Sequence, residues 1–270
     1  MSETNARGEA TPHRKALVTG ASAGIGLAFS ERLARQGSDL VLVARSRERL
    51  EAHAKRLREE HGVGVDVLAA DLSQPAELEQ VERRVAEDES LDLLVNNAGF
   101  GTQGSFSELE IAREEEQIRL NVLALVRLTR AALPQMTRRG SGAIVNVSSL
   151  AGFYPGPFVA TYGATKAYVT SFTEALAGEL RGTGVRVQVL CPGFTRTEFQ
   201  QRAGVDASQI PSFAWMSAEA VVDASLAGLA RGDVVVIPGG LYKALHASTS
   251  WVPRGLVRRV MALAGRRLEG

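Results

Sequence analysis

The sequence predicts an α/β protein, a single doubly wound domain with a seven-stranded, mostly parallel sheet flanked by helices. Short apolar runs alternate with helical patterns along most of the chain. The runs are apolar throughout rather than at every second residue, so both faces of the sheet must be covered by helices. A length of 270 residues, 45% of them hydrophobic, suits one large core.

The apolar runs and the helical periodicity place each element in order. Strands are expected over residues 16–20, 39–45, 65–71, 91–99, 141–149, 185–193 and 233–239. Helices are expected over residues 27–37, 46–62, 75–89, 108–138, 162–181 and 217–231. The main α/β domain then covers 13–240, after a polar leader over 1–12 that we expect to be disordered, and before a helical extension over 241–270.

Composition excludes several classes of protein. A formal net charge of +1 argues against a dedicated nucleic-acid binder. One cysteine and four scattered histidines predict no metal site. The first residues lack the apolar core of a signal sequence and no segment is apolar enough to span a membrane, so a soluble, cytoplasmic protein is expected. Residues 253–268 read as a basic amphipathic helix, which suits packing on the protein or on a second subunit, a cover for a cleft, or peripheral membrane contact.

The stretch TGASAGIG, residues 19–26, allows two interpretations. As G-A-S-A-G it fits the nucleophile elbow of a serine hydrolase, with Ser22 attacking. As a glycine-rich turn between the first strand and the first helix it presents backbone amides to a phosphate. The hydrolase needs a histidine base later in the chain, and His53, His61 and His246 are poorly placed in the sequence for that role. The phosphate interpretation is therefore favoured.

The end of the second strand indicates which dinucleotide would bind. Dinucleotide-binding folds usually place an acid there to bind the adenosine ribose. This sequence has Arg45, with Arg47 close behind, and a cation suits the 2′-phosphate of NADP. We expect NADP(H) to be preferred over NAD(H). Asp71, at the end of the third strand, is a candidate acceptor for the adenine amino group.

Five motifs together resemble the short-chain dehydrogenase/reductase family over about residues 15–239. They are TGASAGIG, NNAG at 96–99, NVSS at 146–149, YGATK at 162–166 and PGFTRT at 192–197. The resemblance implies a Rossmann-type fold and an NADP-dependent oxidoreductase acting on a carbonyl or secondary alcohol. It also implies a catalytic tetrad, in which Ser149 rather than Ser148 is the catalytic serine because it lies thirteen residues before the tyrosine. The four residues are Tyr162, Lys166, Ser149 and Asn121.

The resemblance further implies a set of cofactor-binding residues, distributed over the glycine turn, three strand ends and the catalytic helix. They are Gly20, Ser22, Ala23, Gly24, Ile25, Gly26, Arg45, Asp71, Leu72, Asn97, Ala98, Gly99, Tyr162, Lys166, Pro192, Gly193, Thr195 and Thr197.

Reduction of a ketone leaves an oxyanion that must gain a proton as it forms, and a tyrosine hydroxyl can donate one. Lys166 lies one helical turn after Tyr162, so its charge, together with that of the oxidised nicotinamide, is expected to lower the tyrosine pKa, and its ammonium to bond the nicotinamide ribose. Ser149 would donate a hydrogen bond to the carbonyl oxygen. Asn121 would order a water that returns protons to Lys166.

Aromatic residues concentrate in the two segments that follow Ser149 and Pro192. They suggest either an apolar pocket for an acyl, steroid-like or aromatic ketone, or simple packing of the loops, and both interpretations stay open. The residues are Phe153, Tyr154, Phe158, Phe194, Phe199, Phe213 and Trp215. Cys191 is expected to be a small buried residue rather than a reactive thiol.

Two further expectations concern activity and assembly. The same fold could serve as a non-catalytic NADP-binding sensor or scaffold, although the intact tetrad favours an enzyme. The family resemblance implies a homodimer or homotetramer built on the long helices at 108–138 and 162–181.

Overall fold

The computed structural model describes residues 13–204 and 210–249. Its strands form one sheet in the order β3-β2-β1-β4-β5-β6-β7, and every neighbouring pair is parallel. The predicted doubly wound α/β fold is confirmed, with a sheet that is parallel throughout. The strands are β1 (Lys15–Thr19), β2 (Asp39–Ala44), β3 (Val65–Ala69), β4 (Leu93–Asn96), β5 (Gly142–Val147), β6 (Val185–Leu190) and β7 (Val235–Val236).

Helices cover both faces of this sheet, as apolar parallel strands require. They are α1 (Gly24–Arg35), α2 (Arg47–His61), α3 (Pro75–Glu87), α4 (Ile111–Ile118), α5 (Leu125–Arg139), α6 (Ala160–Glu179), α7 (Phe199–Ala203), α8 (Ala218–Arg231) and α9 (Gly240–Thr249). On one face α1, α2 and α8 pack around Phe29 and Leu50. On the other face α3, α5 and α6 pack around Leu128 and Met136.

Every strand except β1 is shorter than predicted; β4, for example, was expected over 91–99 and spans Leu93–Asn96. The chain leaves the ladder after Asn96 because the backbone amides of Asn97 and Ala98 donate to the Thr19 hydroxyl instead, at 2.9 and 3.0 Å. An apolar run therefore marks a strand, but side-chain hydrogen bonds decide where that strand ends.

The long helix predicted over 108–138 is interrupted. Between α4 and α5 the chain forms a π-helical turn over Arg119–Ala124, and this turn contains the buried Asn121. Such turns widen a helix locally and often lie at functional sites. Helix α1 starts at Gly24 rather than at residue 27, so two glycines of the glycine-rich turn belong to its first turn.

The chain reverses its direction of travel across the sheet between β1 and β4, which are neighbours. In a doubly wound sheet a crevice opens at this point, beyond the carboxyl ends of the strands, and ligands bind there. The turn after β1, the segment after β4 and the segment after β5 all leave the sheet at this edge.

Helix α9 packs into the domain, although the sequence suggested a boundary at residue 240. Tyr242 is buried with Leu125, Leu150 and Val189 in a third apolar cluster. The predicted leader over 1–12 and the basic helix over 253–268 lie outside the described residues. None of the described helices is long and apolar enough to cross a membrane.

Candidate active site and dinucleotide cleft

The turn between β1 and α1 has the shape of an anion cradle. Gly20 and Gly24 adopt positive φ angles of 66° and 54°, which side chains disfavour. A Cβ on Gly26 would lie 2.3 Å from the Gly20 carbonyl oxygen. Ala23, the N-cap of α1, provides no side chain to accept from the first amides of the helix. Those amides therefore face the crevice, and Ser22 and Ile25 lie in the same turn, so the residues fit a dinucleotide phosphate.

Contacts of the three histidines do not support Ser22 as a hydrolase nucleophile. Among the described residues, His53 contacts Arg56, His61 lies near Glu60 and His246 lies near Tyr154. None of these contacts reaches Ser22.

The segment after β4 is tied to the glycine turn. The Asn97 side-chain amide donates to the carbonyls of Thr19 and Gly20, at 2.9 and 3.3 Å. Asn97, expected to border the adenosine, thus holds the cradle in shape, and Ala98 is held beside it by Thr19. Thr19 is the first residue of the TGASAGIG stretch but was not predicted to be a site residue.

Arg45 is exposed directly after β2, at the edge of the crevice where the adenosine is expected to bind. No acid occupies this position, so the residues present fit a 2′-phosphate. Asp71 uses one carboxylate oxygen to accept from the amide and the hydroxyl of Ser73, at 2.9 and 2.7 Å. It therefore shapes the turn before α3, and the neighbouring Leu72 is buried.

Ser149 and Tyr162 meet at the carboxyl end of β5. Burial raises the pKa of Tyr162 to about 12, and the hydrogen bond with Ser149 opposes part of that shift. Without the dinucleotide, burial therefore dominates this pKa, and the lowering expected from Lys166 together with the oxidised nicotinamide stays a prediction. The phenol therefore keeps its proton near neutral pH. The Ser149 hydroxyl beside it could donate to the same substrate oxygen as the phenol.

Lys166 is 5% exposed, and its Nζ lies 5.8 Å from the centre of the Tyr162 ring. The ammonium donates to the Val147 carbonyl at 2.9 Å rather than to the phenol. Burial lowers the pKa of Lys166 to about 8, so it remains mostly charged at neutral pH. The carbonyl of a strand end thus positions this cation; Val147 lies within the NVSS motif but was not predicted to be a site residue.

Asn121 joins the π-helical turn to the segment after β4. Its amide donates to the Phe100 carbonyl at 2.9 Å and to the Thr165 hydroxyl at 3.1 Å, and its oxygen accepts from the Phe100 amide at 3.1 Å. A Cβ on Gly99 would lie 2.9 Å from the Asn121 oxygen and 3.6 Å from the Lys166 Nζ. Asn121 and Lys166 therefore flank Gly99, and the water expected between them stays a prediction.

Ser148 points away from the phenol. Its hydroxyl donates to the Lys166 carbonyl at 2.8 Å and lies 2.8 Å from the Thr170 hydroxyl, which fastens the end of β5 to α6. The buried thiol of Cys191 contacts the same pair of hydroxyls, and burial raises its pKa to about 12. A thiol with so high a pKa is not a nucleophile at neutral pH.

The segment after β6, where the nicotinamide is expected to bind, packs against the segment after β5 and against α9. The Pro192 carbonyl accepts from the Leu150 amide at 3.0 Å. Gly193 lies against Tyr242, since a Cβ there would meet the ring at 2.2 Å. Tyr242 of α9 in turn accepts from the Phe194 amide and donates to the Ala214 carbonyl. This tyrosine, which sequence reasoning missed, fixes the shape of the segment that leads to Thr195 and Thr197.

The predicted aromatic residues separate into two groups. Phe199 lies against the catalytic ring, with centroids 5.5 Å apart, and Gly101 leaves just enough room for both. Phe153 and Tyr154 pack with His246 of α9. Phe194 and Phe213 are 43% and 76% exposed, so they do more than fill the interior of loops. Phe158 has an unusual positive φ of 65° beside the site.

Within residues 13–204 and 210–249 no group of three His, Cys, Asp or Glu side chains is arranged to hold a metal ion.

Comparison with known proteins finds chains of similar sequence and fold. A short-chain dehydrogenase from Sphingobium yanoikuyae in complex with NADPH is 44% identical, with a TM-score of 0.83 over 90% of this chain and 94% of that chain. The bulky-bulky ketone specific alcohol dehydrogenase from Comamonas testosteroni is 37% identical, with a TM-score of 0.77 over 90% of this chain and 96% of that one.

A very-long-chain 3-oxoacyl-CoA reductase from Anas platyrhynchos is 34% identical over 192 residues, which are 69% of this chain and only 61% of that protein's length. The sequence model of the short chain dehydrogenase family matches residues 14–207. The resemblance seen in the five motifs is thereby confirmed, and the chain belongs to the short-chain dehydrogenase family of oxidoreductases.

Proposed function

We propose that the protein is an NADP(H)-dependent oxidoreductase that interconverts a bulky apolar ketone and its secondary alcohol. One observation carries the proposal: the Tyr162 phenol, hydrogen-bonded with Ser149, stands beside the positioned Lys166 ammonium at the crevice that the glycine turn borders. When bound, NADPH would supply the hydride. The glycine turn would hold its phosphates, Arg45 its 2′-phosphate and Lys166 its ribose.

The chain's own residues account for the proton. A pKa of about 12 keeps Tyr162 protonated near neutrality, so it can donate to the oxygen of a ketone as charge develops there. Ser149, on the same side of the phenol, supplies a second donor to that oxygen. The Lys166 ammonium stabilises the tyrosinate that remains, and burial of Lys166 strengthens their attraction.

The side chains around the Tyr162 phenol support this substrate class. Phe199 and Gly101 border the phenol, and the half-exposed Phe194 and Trp215 lie 5.8 Å apart farther out. Exposed rings grouped around a cleft favour an apolar ligand. The names of the Comamonas alcohol dehydrogenase and the Anas reductase, a bulky-ketone enzyme and a long-chain oxoacyl reductase, support the same class.

A turnover assay tests the proposal. The purified protein is mixed with NADPH or NADH and a panel of aryl, steroid and 3-oxoacyl ketones, and the loss of reduced-nicotinamide absorbance is followed. We expect turnover with NADPH and a bulky ketone, and slower turnover with small polar ketones. If NADPH raises the melting temperature but no carbonyl is reduced, the protein is an NADP-binding sensor or scaffold instead.

We also propose that the protein is a homodimer or homotetramer assembled through α4, the π-helical turn, α5 and α6. Large apolar side chains on these helices are exposed in the single chain, namely Ile111, Ile118, Leu123 and Tyr168 at 65%, 44%, 51% and 46%. Light scattering after gel filtration tests this. The wild type should elute as an oligomer, and the double variant Leu123→Arg, Tyr168→Glu should elute as a monomer. A monomeric wild type would contradict the proposed assembly.

A further inference from the structure

Three consecutive residues after β6 contact three different parts of the cleft. The Thr197 methyl lies 2.9 Å from the position of a Cβ on Gly24, so it rests on the glycine turn. Glu198 forms an ion pair with Arg49 of α2 at 3.3 Å. Phe199 lies against the ring of Tyr162. We call residues 197–199 the clasp segment.

The ion pair joins opposite walls of the crevice. Arg49 stands in the first turn of α2, where its amide donates to the N-cap Ser46, next to Arg45 at the adenosine end. Glu198 belongs to the β6 side of the sheet, and three strands, β1, β4 and β5, separate β6 from β2. A contact across that width has to pass over the glycine turn, which is the position proposed for the cofactor phosphates.

We propose that Arg49 and Glu198 are positioning residues whose ion pair holds the clasp segment over bound NADP(H) and slows its release. This inference rests on the proposed function, because it needs the dinucleotide in the crevice. The same contact would place Phe199 against the catalytic ring while the cofactor is held. Arg49 and Glu198 touch neither the reacting atoms nor the phenol, so they act only through the clasp segment.

The strength of the contact suits a reversible closure. The side chains of Arg49 and Glu198 are 55% and 48% exposed, so water and salt weaken their attraction. An exposed ion pair of this kind alters an equilibrium by about two- to fivefold. A closure of that size delays dissociation of the cofactor without trapping it.

For Glu198→Gln, simple electrostatics and the clasp predict opposite changes in the rate of NADPH dissociation. NADPH is a polyanion, so removing a nearby carboxylate should, by charge alone, slow its dissociation. The clasp predicts faster dissociation, by about two- to fivefold, because the segment opens more easily. The rate is measured by stopped-flow NADPH fluorescence after mixing the complex with excess NADP⁺, without any substrate.

Further variants separate the pair from its individual charges. Arg49→Glu should also accelerate release, and the charge-swapped double variant Arg49→Glu, Glu198→Arg should restore the wild-type rate. Lys55→Glu is the matched control, since it makes the same charge change on α2 at a residue that pairs with Glu59 of its own helix. The wild-type rate should rise more steeply with salt than that of Glu198→Gln.

Unchanged or slower NADPH release in Glu198→Gln would overturn the clasp, as would a double variant no better than either single one. If wild-type protein shows no NADPH fluorescence change at all, the proposed function falls and the clasp falls with it. If the wild type binds NADPH but these variants leave its release rate unchanged, only the clasp is contradicted, and the proposed function stands.

Discussion

The two ends of the cleft are built in different ways. At the phosphate end the backbone itself makes the surface, and the spacing is so tight that a Cβ on Gly26 would lie 2.3 Å from a carbonyl oxygen. At the other end, beside Tyr162, side chains make the surface, among them Phe199, whose ring centroid lies 5.5 Å from that of Tyr162. A backbone cradle suits a ligand with fixed phosphates, whereas side chains adapt to ligands of variable shape.

Both backbone groups and side chains position the residues proposed to be catalytic, Ser149, Tyr162 and Lys166. Ser149 and Lys166 are positioned by backbone groups, the Ala151 amide and the Val147 carbonyl, at 3.1 and 2.9 Å. Tyr162 is bordered by a side chain, Phe199. Variants of the glycine turn, of the proposed catalytic residues and of the side chains around them should therefore have different effects.

Tyr162→Phe is expected to have the largest effect. Loss of the phenol hydroxyl removes the proton donor, so kcat should fall by about 10²–10⁴-fold. NADPH affinity, measured by fluorescence titration, should be nearly unchanged, because the hydroxyl acts on the substrate oxygen. A variant that retains most of its activity would contradict the assignment of Tyr162.

Gly26→Ala is expected to damage the phosphate end through the backbone. The added methyl must push Gly20 and the Asn97 amide apart, at a cost of about 1–3 kcal/mol in the free energy of unfolding, and NADPH binding should weaken. The control is Gly178→Ala in α6, where a Cβ meets nothing within 4 Å. That variant should gain about 0.5–1 kcal/mol, because alanine suits a helix better than glycine. Equal thermal melts for both would show that the turn relaxes freely.

Arg45→Asp should shift cofactor preference without unfolding the protein. A carboxylate at this exposed position repels the 2′-phosphate, so the ratio of NADPH to NADH affinity should fall by about tenfold or more. Arg83→Asp on α3, an exposed arginine paired with Glu79, is the matched control and should leave the ratio unchanged. An unaltered ratio in Arg45→Asp would mean that Arg45 only faces solvent.

The pH dependence of reduction should show the smallest effect. Tyr162, with a pKa of about 12, keeps its proton across the neutral range, so kcat should change less than about twofold from pH 6 to 7. Because the pKa of Lys166 is lowered to about 8, its charge is present below that pH and lost above it. The rate should therefore decline as the pH rises through 8, and a rate that climbs there would contradict the role of Lys166.

The motifs suggested the cradle and the four tetrad residues, because each requires a particular residue type at a particular spacing, and the roles of these residues stay predictions. Thr19 and Val147 lie within two of the motifs, yet neither was predicted to be a site residue, because they act through ordinary groups, a hydroxyl and a carbonyl, that many residues could supply. Gly101 and Tyr242 lie outside the motifs and matter only for what packs beside them. The rise in the tyrosine pKa could not be predicted for a related reason, since spacing along a helix says nothing about burial.

The sequence alone determined the parallel layered fold, the glycine turn, the basic residue at the adenosine end and the Tyr162–Lys166 pair. These follow from local patterns, apolar runs, helical spacing and residues that must be small. Only the tertiary structure decided where the strands stop, that Asn121 lies in a π-helical turn, and that Glu198 reaches Arg49. Contacts between residues 149 positions apart depend on how helices and loops pack, and no local pattern encodes that distance.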